Sequence, residues 1–230
     1  MRTLCVAVIL LTLISVCQSA SLACDKLSKP LEKGPDLPGR WYYLAFATKQ
    51  CLPSTVFNAV FWPSIVMDIS SKGLPNLYDA NLQLKMYGFC VNETEQFFND
   101  HVKIWDVDSD NNPTGSPNVL LQTSCPDCIV VQSEDTIGTL VLLSKRNAIT
   151  EAEMKEFETQ AECLGWSKPK VLNTDFDVNN CRYVEDSTTE DESEAQNLLM
   201  KVYERVKSKR QNIIDCLVDS IVNYLPASLS

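Results

Sequence analysis

The chain has 230 residues, with 30 acidic against 20 basic side chains and a formal net charge of −10. That balance argues against nucleic-acid binding, which needs a basic patch. The length suits one domain with an appendage better than two domains.

Met1-Arg2 is a short basic opening, and Leu4 to Val16 is apolar and uncharged. The run falls short of the roughly 20 residues that cross a bilayer. With the small residues Cys17 and Ser19 behind it, it has the form of a signal peptide over residues 1–19. No other apolar run reaches membrane-spanning length, so the expectation is a secreted, extracellular and soluble protein without a transmembrane segment. Beyond the signal lie Cys24, Cys51, Cys90, Cys125, Cys128, Cys163, Cys181 and Cys216. An even set in a secreted chain suggests disulfides, with many pairings open. Asn92-Glu93-Thr94 is the one sequon, because Pro113 spoils the other Asn-x-Thr, and it places a glycan on a solvent-facing position.

From a Pro/Gly-rich lead-in the chain enters Gly39-Arg40-Trp41-Tyr42-Tyr43-Leu44-Ala45-Phe46-Ala47, an aromatic-rich strand. At a period of two, Trp41, Tyr43 and Ala45 share one face and Tyr42, Leu44 and Phe46 the other. Both faces are apolar, so the strand is expected to be buried on both sides. Further strands are expected over 56–69, bent at Pro63, then 79–87, 89–98, 101–107, 119–123, 128–132 and 136–144, with turn signals between them. The stretch 108–115 is expected to be a loop. Eight strands at meander spacing with no helix among them predict an all-β, up-and-down antiparallel barrel.

The period then changes. Thr150 and Glu153 make a capping box, and Met154, Phe157, Ala161 and Leu164 form an apolar stripe stopped by Gly165. This predicts one helix packed outside the barrel.

Gly39-x-Trp41 at the first strand, Ser124-Cys125-Pro126, Leu142 to Arg146 at the last strand, Glu162-Cys163-Leu164, and the segment from Lys170 to Cys181 together resemble the lipocalins. The branch they are similar to is that of α1-acid glycoprotein and apolipoprotein M, including fish plasma proteins that bind saxitoxin/tetrodotoxin or tributyltin. The resemblance covers about residues 24–182 and implies a carrier of a small hydrophobic or amphiphilic ligand, a toxin or xenobiotic included, with no cofactor. It implies that Arg146 lies across Trp41 at the barrel floor, behind Gly39. It also implies the pairs Cys24–Cys163 and Cys90–Cys181. Cys51, Cys125, Cys128 and Cys216 are left over, with three pairings open. Cys125 with Cys128 and Cys51 with Cys216 is the preferred choice, because in such a barrel the C-x-x-C lies at the end opposite Cys51. Zinc would need a second cysteine pair at suitable spacing, and a thioredoxin-like site a βαβ context that is missing here.

On strand parity the inward candidates are Tyr43, Ala45, Phe61, Ile65, Met67, Leu82, Leu84, Met86, Phe97, Trp105, Leu140 and Leu142. Tyr43 and Trp105 stand out, since each joins an aromatic face to a polar handle. Enzyme chemistry has little material. His101 is the only histidine, no nucleophile elbow accompanies it, and 56–69 lacks the thiol that lipocalin-type isomerases carry on the second strand.

The barrel domain is expected over 20–184, followed by an acidic linker over 185–194 that has the composition of a flexible segment. Over 195–230, Leu198, Val202, Val206, Ile213, Leu217 and Ile221 recur at helical spacing among basic residues, predicting an amphipathic helical tail. Such a tail can fold back over the barrel mouth, meet a lipid or lipoprotein surface, or self-associate.

Overall fold

The computed structural model describes residues 24–178, 181–183 and 192–224. The expected signal peptide, most of the acidic linker and the last six residues lie outside these. Strands β1 (Gly39–Thr48), β2 (Ser64–Ser71), β3 (Leu77–Met86), β4 (Phe89–Asp100), β5 (Lys103–Val107), β6 (Pro113–Leu121), β7 (Cys128–Ser133) and β8 (Thr139–Ser144) follow one another. Each pairs antiparallel with the next, β1 with β8 as well. The eight-stranded barrel is therefore closed, which leaves no open edge. Two short strands decorate it: β9 (Lys170–Val171) beside β1, and β10 (Arg182–Tyr183) parallel to β4.

The strand set agrees with the sequence reading except in two places. The loop expected to reach Gly115 ends earlier, since β6 already starts at Pro113. The long strand expected over 56–69 is two elements, helix α1 (Cys51–Val60) and then β2. Large residues such as Val56, Phe57 and Val60 favour a strand. The helical signal sits instead in the small residues Ser54, Thr55, Asn58 and Ala59, all buried and spaced as one helical face. Pro63 ends the helix, because the residue before a proline avoids helical backbone, and Trp62 there has φ +38°. A helix does stand among the strands.

Helix α2 (Glu151–Cys163) has its expected cap. The Thr150 hydroxyl accepts from the Glu153 amide at 3.3 Å, and the Thr150 amide donates to the Glu153 carboxylate at 2.8 Å. Its face packs on the outer wall, where Phe157 and Ala161 meet Ala45, Ala47, Leu140 and Leu142. Buried Gln160 donates to the carbonyls of Leu27 and Gln122, so α2 also holds the N-terminal lead-in.

Helix α3 (Glu192–Tyr224) has 33 residues, a length of about 50 Å at 1.5 Å per residue. It folds back on α1. Arg205 is the clamp: its guanidinium lies 3.7 Å from the Trp62 ring centroid and donates to the Asn58 carbonyl at 2.8 and 3.0 Å.

Four disulfides join Cys24 to Cys163, Cys51 to Cys216, Cys90 to Cys181 and Cys125 to Cys128. The first three bridge 139, 165 and 91 positions. Loop-closure entropy gives each about 5 kcal/mol, against about 2 kcal/mol for the four-residue ring.

Candidate ligand cavity

Inside the barrel two hollows meet. The deeper one, about 230 Å³, rests on a floor of Leu37, Trp41, Ile69, Ile129 and Leu143. The upper one, about 330 Å³, lies under α1 and is lined by Phe46, Pro53, Phe57, Ile65, Ile137 and Leu172 among others. Tyr43, Thr139 and Val141 line both.

Their inner faces are set by a bulge in β1. Tyr43 pairs with Leu143 on β8, but Ala45 already pairs with Leu142, so Leu44 is an extra residue. A bulge of this kind re-aims every side chain beyond it. Tyr43 therefore points inward, and so do Phe46 and Thr48, while Ala45 turns outward to α2.

Of the twelve expected cavity residues, Tyr43, Ile65, Met67 and Phe97 line the hollows. Leu82 and Leu84 stand opposite Met67 and Ile65 in the ladder and share their face, and Met86 follows at the strand end opposite Phe89. Five others are placed elsewhere. Ala45, Leu140 and Leu142 are under α2, because β1 and β8 are apolar on both faces and alternation alone cannot choose between them. Phe61 caps α1 and is 45 % exposed, since no strand exists there. Trp105 lies between the inward-facing Ile104 and Asp106 and so points out. The alternation that sequence reading assigned backwards on β8 would have found Val141 and Leu143.

The same parity corrects the floor. Lys145, not Arg146, lies over Trp41, with its ammonium 5.2 Å from the ring centroid. Arg146 falls on the α2 side. There it pairs with Glu153 at 2.6 Å and Asp127 at 3.5 Å, and donates toward the Cys125 sulfur at 3.2 Å. The Glu153 carboxyl is held below its usual range, first by the Thr150 amide and then by Arg146 against the effect of burial. Gly39, at φ +114°, opens β1 in a conformation that glycine tolerates.

The polar lining is confined to the deeper hollow, where Glu95, Gln96, Asp106, Asn118 and Ser133 contribute. Neither Glu95 nor Asp106 has a basic partner among the described residues. Half-buried Tyr43 sits between the polar and apolar ends. Burial, and then the charge of Glu95, push its phenol up to about 12, so it stays protonated and donates to the Met67 sulfur at 3.8 Å. No cysteine or histidine lines either hollow.

A larger hollow of about 630 Å³ lies outside the barrel, between α3 and the segment after α2. Lys49, Lys168, Lys170, Asp215 and Asp219 line it, making it an open charged cleft and a poor fit for an apolar ligand. Asn92, in the sequon, is exposed on the outer face of β4 opposite Gln83. Cys125, Cys128 and Glu153 place donor atoms within 4.8 Å of one another, but the two sulfurs are bonded together. Among the described residues no helix is long and apolar enough to cross a membrane.

A closed eight-stranded antiparallel barrel with a helix packed outside and an internal cavity is the lipocalin fold. The ApoM domain model matches residues 2–185, and the chain belongs to that family. Such proteins are typically carriers of small hydrophobic ligands. No curated protein matches the chain. Among solved structures it is similar to siderocalin Ex-FABP, at 15 % identity and TM-score 0.48 over 59 % of this chain and 92 % of that one. It is likewise similar to siderocalin Q83, at 15 % identity and TM-score 0.46 over 60 % and 88 %. Those two are described as having dual ligand specificities and a dual ligand binding mode, respectively.

Proposed function

We propose that the protein is a secreted extracellular carrier of a small amphiphile bearing a cationic or hydrogen-bond-donating group, toxins and xenobiotics of that chemistry included. The observation that carries this reading is the division of the cavity. An apolar chamber under α1 opens, past Tyr43, onto a wall with two carboxylates that no basic side chain offsets. Both carboxylates are solvent-exposed, so they lend the deeper hollow a negative potential that draws in a ligand cation, rather than a buried charge waiting to be offset. The test compares a dansylated alkylamine with a dansylated fatty acid of equal chain length. The amine is expected to bind about tenfold tighter, a difference of about 1.4 kcal/mol, and Glu95→Gln with Asp106→Asn is expected to erase it. Equal affinities in the unaltered protein would remove the cationic preference, and no binding of either probe would remove the carrier reading.

A second reading, association with a lipid or lipoprotein surface, is favoured by α3. Ile214, Leu217, Val218, Ile221 and Val222 are all exposed along its free flank, with Lys207 and Arg210 on the same side one to two turns before them. Leu217→Glu with Ile221→Glu should abolish co-flotation with vesicles containing anionic lipid, without changing probe binding. Loss of a dimer instead of loss of flotation would assign this flank to self-association.

A further inference from the structure

The Cys125-Pro126-Asp127-Cys128 turn is unlike the other three disulfides. Those join distant elements, whereas this bond spans three positions within one turn, where the Cys128 amide already donates to the Cys125 carbonyl. The fold gains least from it, and a short ring leaves the two sulfurs side by side after cleavage.

The surroundings are also specific to it. The Arg146 guanidinium touches the Cys125 sulfur, and cationic neighbours of this kind stabilise a thiolate. Glu153, fixed by the capping box, also pairs with Arg146 and keeps the guanidinium at the turn, its own carboxylate lying within 4.8 Å of both sulfurs. The two cysteines are buried, but Ser124, Pro126 and Asp127 around them are exposed, and the Arg146 side chain is 39 % exposed. This exposed flank is the side from which a small thiol would approach the bond.

We infer that Cys125–Cys128 is an exchange-active disulfide that low-molecular-weight thiols open while the other three stay closed, with Arg146 holding the Cys125 sulfur as the thiolate. A thiolate of the reductant attacks the Cys128 sulfur. The new bond forms there, the Cys125–Cys128 bond breaks, and its electron pair goes to the Cys125 sulfur beside Arg146. A second reductant thiolate attacks the external sulfur of the mixed disulfide, releasing the Cys128 thiolate, which takes a proton from water. Two reductant thiols are oxidised to one disulfide, and the protein disulfide is reduced to the Cys125 thiolate and the Cys128 thiol, with one proton passing to solvent. The direction of attack follows from the better leaving group being the sulfur next to the guanidinium.

The full chain, oxidised, is equilibrated in glutathione buffers of graded ratio, trapped with N-ethylmaleimide and mapped by peptide mass. Cys125 and Cys128 are expected to be alkylated together at ratios where Cys24–Cys163, Cys51–Cys216 and Cys90–Cys181 remain intact. Arg146→Gln should require about a tenfold more reducing buffer and change the pH dependence of exchange, and Arg146→Lys should restore most of the loss. Asp127→Asn, an exposed change that removes a negative charge from the turn, should shift the balance the other way. Opening of this bond only together with the rest, as the fold is lost, would overturn the inference. So would a reduction equilibrium that Arg146→Gln and Asp127→Asn both leave unmoved.

Discussion

Replacing Trp41 with alanine is expected to lower the unfolding free energy by about 3–5 kcal/mol, the range for a large aromatic removed from a packed core. Trp41 is 2 % exposed and packs among Leu37, Ile69, Ile129 and Leu143, where it closes the barrel floor. Its indole also donates to the buried Leu37 carbonyl at 2.7 Å, so truncation leaves that oxygen without its partner. The cation above the ring contributes much less, about 0.5–1 kcal/mol at an exposed site. Lys145→Met should therefore shift the denaturation midpoint only slightly. A midpoint for Trp41→Ala within error of the parent would show that the floor does not anchor the barrel.

The second large effect separates the two faces of β8. Val141→Trp fills the junction of the two hollows, so it should reduce probe binding by about 100-fold while the protein stays folded, a loss of about 2.8 kcal/mol. Leu142→Trp, one residue away, enters the layer between the barrel and α2, where Leu142 is 2 % exposed and no hollow receives the added atoms. Overpacking there should cost about 1–3 kcal/mol of stability and leave binding in the folded fraction intact. The opposite outcome, binding lost through Leu142 and stability through Val141, would mean that the faces are exchanged.

These two residues also mark where sequence reading stops. The eight strands, the capping box at Thr150 and the helix behind it are legible because each rests on local chemistry: alternation, turn residues and a reciprocal cap. Which face of β1 or β8 points inward is not local. Both faces are apolar because one meets the cavity and the other meets α2, so a two-residue period has no polar side to orient it. On β1 the bulge at Leu44 adds a change of phase that nothing in Tyr43-Leu44-Ala45 announces. The confusion of Lys145 with Arg146 is the same ambiguity carried one residue past the strand. Helix α1 escaped notice for another reason: its large residues favour strand, while the small ones that form its buried face looked like filler. Glu95 and Asp106 were missed among the cavity residues because charged side chains on a strand are ordinarily assigned to solvent.

The bulge at Leu44 has a consequence for how this barrel can change. One strand serves two tenants: Tyr43, Phe46 and Thr48 furnish the chamber, and Ala45 and Ala47 provide the seat for the helix. Point substitutions can alter one tenancy without disturbing the other, so ligand preference can drift while the outer joint is conserved. Deleting Leu44 would only straighten the strand, since Ala45 stays opposite Leu142 and Phe46 opposite Val141. Deleting Ala45, with Leu44 still the extra residue, has no such latitude: it would rotate the remaining strand by half a turn, put Phe46 under the helix and Ala47 into the chamber, and enlarge the cavity at the expense of the joint that supports it.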